Sequence, residues 1–118
     1  MEPTIIISDT KKTKKHQLDD KTCGVSKTIR IIGSKWTILI LYNLLEGPRR
    51  FGELQKLLAG ISPRTLSLRL TELEGDGLIS KKIFAEVPPH VEYTLTKKGQ
   101  TLNDVICKMR EWGESSIV

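Results

Sequence analysis

The side chains best suited to bind an anionic partner are concentrated in one short segment that begins at Ser62. Arg64 and Arg69 carry planar guanidinium groups, which form paired hydrogen bonds with guanine edges and phosphate oxygens. Hydroxyl groups that donate and accept hydrogen bonds lie close to both arginines. The outward-facing set predicted for this segment is Ser62, Pro63, Arg64, Thr65, Ser67, Leu68, Arg69 and Thr71. These residue types indicate contact with the bases and phosphates of a nucleic acid.

The same segment is predicted to be a helix. Ser62 caps the free amide groups at its start, and Pro63 suits the first helical position. Three leucines at i, i+4 and i+7 form its inner face: Leu66, Leu70 and Leu73. Because successive residues turn by about 100°, the polar set lies on the opposite face. Leu68 is an apolar exception within that polar face, and Gly75 ends the helix just after Glu74.

Further elements must hold this helix in place. Apolar periodicity predicts helices over residues 25–32, 36–45, 51–58 and 97–113, with a tight turn at 59–61. In the helix over 51–58, the residues predicted to face inward are Leu54, Leu57 and Leu58. After Gly77, strand-forming residues predict a two-stranded hairpin with Pro88 and Pro89 at its tip. This order predicts a winged helix-turn-helix, a mainly α fold with a small β-hairpin (α+β).

Positive charge is concentrated around the predicted helix-turn-helix. The formal net charge of the chain is +5, and residues 47–82 hold seven basic side chains against four acidic ones, a local net charge of +3. Lys81 and Lys82 lie on the first strand of the hairpin, the wing, where we expect them to meet phosphates or a minor groove. Since basic proteins gain affinity by releasing counterions from phosphates, double-stranded DNA is the predicted partner.

Length and composition favour one folded domain. Of the 118 residues, 1–22 are predicted to be a disordered tail of mixed charge, and 23–118 to form the DNA-binding and dimerisation domain. The apolar run over 38–42 is too short to cross a membrane, and the N-terminus lacks the charge order of a signal peptide. The sequence therefore predicts no membrane partner and a cytoplasmic location.

Catalysis and metal binding have little support in the sequence. Cys23, Cys107, His16 and His90 are too scattered to form a disulfide framework or a zinc site. No glycine-rich phosphate loop or paired carboxylate motif accompanies them. The sequence thus predicts neither an enzyme nor a cofactor or metal. One alternative stays open, a winged-helix adaptor that binds proteins and has no affinity for DNA.

Short motifs occur in order along residues 23–113. They are Gly33-Ser34-Lys35-Trp36-Thr37, the run over 47–54, Gly60-Ile61-Ser62, the run over 72–79, the run over 88–96 with Gly99, and Trp112-Gly113. Together they resemble the HxlR family of bacterial and archaeal transcription regulators. The resemblance implies a dimeric winged-helix DNA-binding protein, related to the MarR family, whose first and last helices form the dimer interface. An apolar stripe on the last predicted helix independently favours a partner subunit.

The resemblance also implies roles for particular residues. The Ser62-to-Thr71 face would read bases in a palindromic operator, and Lys35, Arg49 and Arg50 would lie near phosphates. His90, where the family usually has arginine, would approach a flanking groove from the wing. Leu68 stands where a polar residue is common. A small-molecule effector is compatible with such a regulator, but the sequence does not identify one.

Cys23 occupies the position of a cysteine that senses oxidants or electrophiles in some relatives. Such a role requires an accessible thiolate, which a helix N-terminus and nearby cations favour. Cys23 precedes the first predicted helix and has Lys21 and Lys27 close in sequence. It is a candidate redox sensor, with a structural thiol as the alternative. Cys107 lies off the apolar stripe, where we expect a surface or interface role.

Overall fold

The computed structural model describes residues 23–115, which divide into two compact units, one before and one after the boundary between Ser34 and Lys35. The tail predicted for residues 1–22 lies outside the described residues. The first unit contains helix α1, Gly24–Ile32, which ends where the Gly33 amide donates to the Ile29 carbonyl over 2.8 Å. Of its predicted apolar face, Ile32 is buried, whereas Val25 and Ile29 are exposed. The position of α1 in the sequence agrees with the prediction.

The second unit opens with three helices that share a leucine- and isoleucine-rich core. They are α2 (Lys35–Leu44), α3 (Phe51–Leu57) and α4 (Pro63–Gly75). The fully or nearly fully buried side chains of this part are Ile40, Leu41, Leu44, Leu54, Leu58, Leu66, Leu70 and Leu73. The prediction was wrong for Leu57, which is 48% exposed. Because α3 ends there and Leu58 leaves the helical conformation, Leu58 enters the core while Leu57 stays at the rim.

A three-stranded antiparallel sheet follows, with strand order β1-β3-β2. Its strands are β1 (Arg49–Arg50), β2 (Ile79–Phe84) and β3 (His90–Leu95). Ile79 pairs with Leu95 at the base of the β2–β3 hairpin, and both side chains are buried. The predicted hairpin is confirmed, but β1 was not predicted. Two arginines carry no strand periodicity, and they form a strand only by pairing with Tyr93 and Glu92 far along the chain.

The last predicted helix is divided into α5 (Lys97–Gln100) and α6 (Asn103–Gly113). At the break, the Thr101 and Leu102 amides each donate over 3.1 Å to a carbonyl three residues earlier, those of Lys98 and Gly99, instead of continuing the α-helical pattern. A Cβ atom at Gly99 would lie 2.1 Å from the Leu78 carbonyl oxygen, so only glycine fits there. Gly99 thus permits close packing of α5 against Leu78, just before β2. Within residues 23–115, no helix is long and apolar enough to span a membrane.

Hydrogen bonds fix the end of α4 to the start of α5. Gly77, at φ +75°, reverses the chain after α4, a conformation that favours glycine. Its carbonyl accepts from the Thr96 hydroxyl over 2.6 Å, and the Leu78 carbonyl accepts from the Thr96 amide over 3.0 Å. The Lys98 ammonium donates to the Asp76 carbonyl over 2.9 Å. We call this group the α4–wing clasp, because it joins the end of α4 to both strands of the wing.

Candidate nucleic-acid interface

The start of α4 is built as the sequence predicts. The Ser62 hydroxyl oxygen accepts a hydrogen bond from the Thr65 amide over 3.0 Å, and Pro63 occupies the first turn. This cap satisfies one of the free amides at the helix N-terminus, where the helix dipole also favours negative charge. The first turn of α4 holds no acidic residue. The N-terminal end of α4 is therefore suited to approach phosphates or base acceptors.

The two faces of α4 are arranged as predicted. Leu66, Leu70 and Leu73 are buried, with at most 2% of each residue exposed. On the outer side, Leu68 is 51% exposed. Arg64, Ser67 and Thr71 are also exposed, while Thr65 and Arg69 lie half-buried at the flank. The structure thus brings the predicted reading residues onto one solvent-facing surface, which we call the α4 outer face.

Several polar groups on the α4 outer face are already bonded within the protein. The Thr71 hydroxyl donates to the Ser67 carbonyl over 2.9 Å, and the Ser62 hydroxyl donates to the Thr65 hydroxyl oxygen over 3.0 Å. Within the described part of the chain, the side chains of Arg64 and Ser67 have no hydrogen bond or ion pair. These two side chains are therefore available to a ligand without breaking an internal bond.

Arg69 is less available than the sequence suggests. One guanidinium nitrogen forms an ion pair with Glu72 over 2.9 Å, and the side chain is 30% exposed. Its Nε atom is buried and makes no hydrogen bond to the described residues. The i, i+3 spacing of Arg69 and Glu72 is the sequence signal that permits this pair. Contact of Arg69 with DNA requires its guanidinium to be shared with, or released from, Glu72.

Arg49 and Arg50, which precede α3, differ in whether their side chains are available to a ligand. The Arg49 guanidinium donates to the Glu46 carboxylate over 2.8 Å and to the Asn43 carbonyl over 3.2 Å, which closes the turn after α2. Arg50 is exposed, and its amide donates to the Glu53 carboxylate over 2.7 Å at the start of α3. The Arg49 side chain therefore serves the fold, while the Arg50 side chain extends into solvent. Lys35 is exposed at the start of α2, with its ammonium 4.5 Å from the Trp36 ring centroid.

The two wing lysines project from opposite faces of the sheet, because successive strand residues alternate. Lys81 aligns with Tyr93 and Arg49 across the three strands, on the face that carries the buried pair at the base of the hairpin. Lys82 aligns with Glu92 and Arg50 on the other face. Both lysines are exposed. Although Lys81 and Lys82 are adjacent in sequence, they therefore do not form a single basic patch on one face of the sheet.

His90 is held inside the wing rather than displayed at its tip. Its ring stacks on Phe84 with 4.5 Å between centroids. Its Nδ1 atom lies 3.2 Å from a Glu86 carboxylate oxygen, and its Nε2 atom lies 3.3 Å from a Glu92 oxygen. Only 13% of the side chain is exposed. A DNA contact by His90 would require these pairs to open, and the carboxylates lower the positive charge of the wing.

Tyr93 was not among the predicted site residues. Partial burial raises the pKa of its hydroxyl above the ordinary value of 10.0, and the negative charge of Glu74 raises this pKa further. The hydroxyl therefore stays protonated at neutral pH and can donate a hydrogen bond. Alternation along β3 predicts that Tyr93 faces the core side, but it does not predict the proximity of Glu74 at the end of α4.

Two further features lie outside the α4 outer face and the wing. Cys23 directly precedes α1, and Cys107 lies in α6 with its sulfur 3.6 Å from the Asn103 amide oxygen. Both cysteines are half-buried, and within residues 23–115 neither forms a disulfide. A groove of about 350 Å³ between α2 and α6 is lined by Ile38, Leu39, Tyr42, Ile106, Met109, Arg110 and Glu114. A hydrogen bond that Arg110 donates to the Tyr42 hydroxyl oxygen raises the pKa of Arg110. In residues 23–115, no cluster of three or more histidine, cysteine or acidic side chains is arranged to hold a metal ion.

A capped helix after a tight turn, followed by a β-hairpin wing, defines the winged helix-turn-helix class. The profile of the HxlR-like helix-turn-helix family matches residues 31–118. The chain belongs to this family, as its motifs predicted. The HTH-type transcriptional regulator YdeP of Bacillus subtilis is 48% identical over 96 residues, which cover 81% of this chain and 75% of YdeP. The predicted class, a transcription regulator, is thereby confirmed.

Solved structures lead to the same class. The redox regulator HypR in its oxidised form has a TM-score of 0.76 and 41% identity, and the match covers 80% of this chain and 97% of that chain. A MarR-family transcriptional regulator from Porphyromonas gingivalis W83 has a TM-score of 0.80 and 38% identity, covering 85% of this chain and 98% of that chain. These similarities extend over nearly all of the described residues, so they confirm the winged helix fold.

Proposed function

We propose that this regulator binds double-stranded DNA in a sequence-specific manner by inserting α4 into the major groove. The observation that carries the proposal is the α4 outer face, whose Arg64 and Ser67 side chains make no hydrogen bond or ion pair with residues 23–115. In helix-turn-helix proteins, the N-terminal residues of the second helix contact base edges. Arg64 lies in the first turn of α4, where it reaches a guanine edge or a phosphate.

The surrounding cations act as positioning contacts in this proposal. Arg50, Lys35 and the lysines of the wing are exposed, and phosphate contacts of this kind fix a protein on the duplex without reading sequence. Arg49 and Arg69 are bonded to carboxylates in the free protein, so they contribute less. Lys82 and Arg50 share a sheet face, which suggests that they follow the same stretch of backbone.

The proposed assembly is a homodimer on a palindromic operator in the cytoplasm. Two copies of α4 would enter successive major grooves, so half-sites would lie about one helical turn apart. The family resemblance assigns the dimer interface to the first and last helices. In support, α1 exposes Val25 and Ile29, and α6 exposes Val105, Met109 and Trp112. Exposed apolar stripes of this kind are typical of surfaces that a partner covers.

We also propose that Cys23 makes the regulator responsive to oxidants. The similar protein HypR is named a redox regulator. Cys23 occupies the N-cap position of α1, where the helix dipole favours the thiolate form that reacts with oxidants. The proposal assigns no such role to Cys107, which lies within α6.

Binding to DNA across a salt series tests the proposed function against the protein-binding adaptor. The full chain should bind a random-sequence duplex with log affinity that falls linearly with log salt concentration. On a site selected from a random library, Arg64→Ala should weaken binding by about 1–3 kcal/mol. Fluorescence anisotropy measures both quantities.

Arg64→Lys provides the matched control, because it keeps the charge and loses the forked guanidinium. It should retain the salt dependence on random DNA but lose affinity for the selected site. A flat salt response would favour the adaptor. Unchanged affinity of Arg64→Ala for the selected site would exclude Arg64 from the reading surface.

A further inference from the structure

Leu68 occupies the centre of the surface that α4 offers to DNA. With about 100° between successive residues, Leu68 points about 160° away from both Leu66 and Leu70, which are buried. Arg64 lies one turn before it and Thr71 about one turn after it, both exposed on the same side. Of the leucines on α4, Leu68 is the exposed one, at 51%. It therefore enters the groove first if α4 docks with its outer face.

Hydroxyl groups near Leu68 are already used in hydrogen bonds within α4. The Thr71 hydroxyl hydrogen is used by the Ser67 carbonyl, and the Thr65 hydroxyl oxygen accepts from Ser62. The two side chains that make no hydrogen bond to the described residues, Arg64 and Ser67, lie on the N-terminal side of Leu68. The middle of the α4 outer face is thus apolar, with hydrogen bonding displaced toward the start of the helix.

The major groove presents one apolar group among the four bases, the C5 methyl of thymine. An exposed leucine docked against hydrogen-bonding base edges would leave those edges unpaired, which costs free energy. Docked against a methyl group, the same side chain buries apolar surface on both partners. We propose that Leu68 reads the C5 methyl of a thymine near the centre of each half-site. The proposal rests on the DNA binding proposed for α4 and specifies which base chemistry its centre recognises.

Replacement of thymine by deoxyuridine tests this contact, because it removes the methyl group and keeps every hydrogen-bonding atom. A binding site is first selected from a random duplex library with the full-length wild-type chain. Each thymine of that site is then replaced in turn by deoxyuridine. At the contacted thymine, the replacement should weaken wild-type binding about fourfold, and roughly fifteenfold when both half-sites are changed.

Leu68→Ala should bind the thymine and deoxyuridine duplexes with equal affinity. Alanine favours the helix, so this exposed substitution leaves α4 intact. Leu57→Ala is the matched control, since Leu57 is a similarly exposed leucine, at 48%, on the preceding helix. It should keep the full penalty for deoxyuridine. Leu68→Met, which preserves an apolar contact, should keep most of it.

The outcomes separate this inference from the function on which it rests. Failure to select any sequence overturns the proposed function and the thymine contact with it. Selection of a site in which no thymine is sensitive to deoxyuridine overturns the contact alone. An equal deoxyuridine penalty in wild type and Leu68→Ala also overturns the contact alone, because another residue then reads the methyl. A penalty present in wild type and Leu57→Ala but lost in Leu68→Ala establishes the contact.

Discussion

Cys23 and Cys107 form a natural pair for testing the redox response at the level of single residues. Both are half-buried, and neither forms a disulfide within the described residues, but Cys23 occupies the N-cap position of α1 and Cys107 lies within α6. Oxidant treatment should change the DNA affinity of wild type and of Cys107→Ser, and leave Cys23→Ser unaffected, because the thiolate is the form that oxidants attack. Electrophoretic mobility shifts with and without oxidant measure this. Equal responses of Cys23→Ser and wild type would remove Cys23 as the sensor.

Single residues of α4 show how far a sequence can specify a surface. The inward direction of Leu66 and the exposure of Leu68 follow from helical rotation alone, and both were predicted. The ion pairs of Arg69 with Glu72 and of Arg49 with Glu46 were not predicted, although both have i, i+3 spacing. Spacing permits such a pair, but side-chain rotamers decide whether it forms. Sequence therefore located the arginines and overestimated how many are free.

At the scale of elements, the cap of α4 should contribute measurable stability. Ser62→Ala removes the oxygen that accepts from the Thr65 amide, and loss of such a cap costs about 1 kcal/mol of the free energy of unfolding. Ser67→Ala is the control, because that exposed serine lies inside α4 and forms no side-chain bond with the described residues; it should be neutral or slightly stabilising. Urea unfolding followed by circular dichroism compares them. Equal midpoints for the two variants would contradict the role of the cap.

The elements that the sequence did not predict are those made by distant partners. The strand β1 exists because Arg49 and Arg50 pair with β3, more than forty residues later. The break between α5 and α6 lies next to Gly99, which packs against the Leu78 carbonyl twenty-one residues earlier. Apolar periodicity reports which face of one element is buried, and it carries no information on such pairings. The helices α1 to α4, whose apolar periodicity lies within one element, were predicted to within about one residue.

At the scale of the whole molecule, truncation of the apolar stripe on α6 should dissociate the proposed dimer. Trp112 is 65% exposed in the single chain and lies on the same stripe as Met109 and Val105. Buried tryptophans at interface centres typically cost 2 kcal/mol or more when truncated, so Trp112→Ala should raise the dimer dissociation constant by roughly thirtyfold or more. Sedimentation equilibrium gives this constant directly.

Glu111→Ala serves as the control for the dimer, because Glu111 is exposed on α6 and its carboxylate pairs with Lys108 off the apolar stripe. Its dissociation constant should match that of wild type. A Trp112→Ala chain that remains as dimeric as wild type would show that α6 does not carry the interface. A monomeric wild-type chain would exclude the proposed palindromic assembly altogether.

The α4–wing clasp has a consequence for which DNA sites this protein can tolerate. Thr96 and Lys98 bond the end of α4 to the root of the wing, and Gly99 leaves no gap between them. Helix and wing therefore cannot adjust their separation independently. In the proposed complex, an extra base pair between the bases contacted by α4 and the backbone contacted by the wing would shift one contact along the duplex and rotate it about the axis. Insertions inside a half-site should thus be far more damaging than mismatches at its edges.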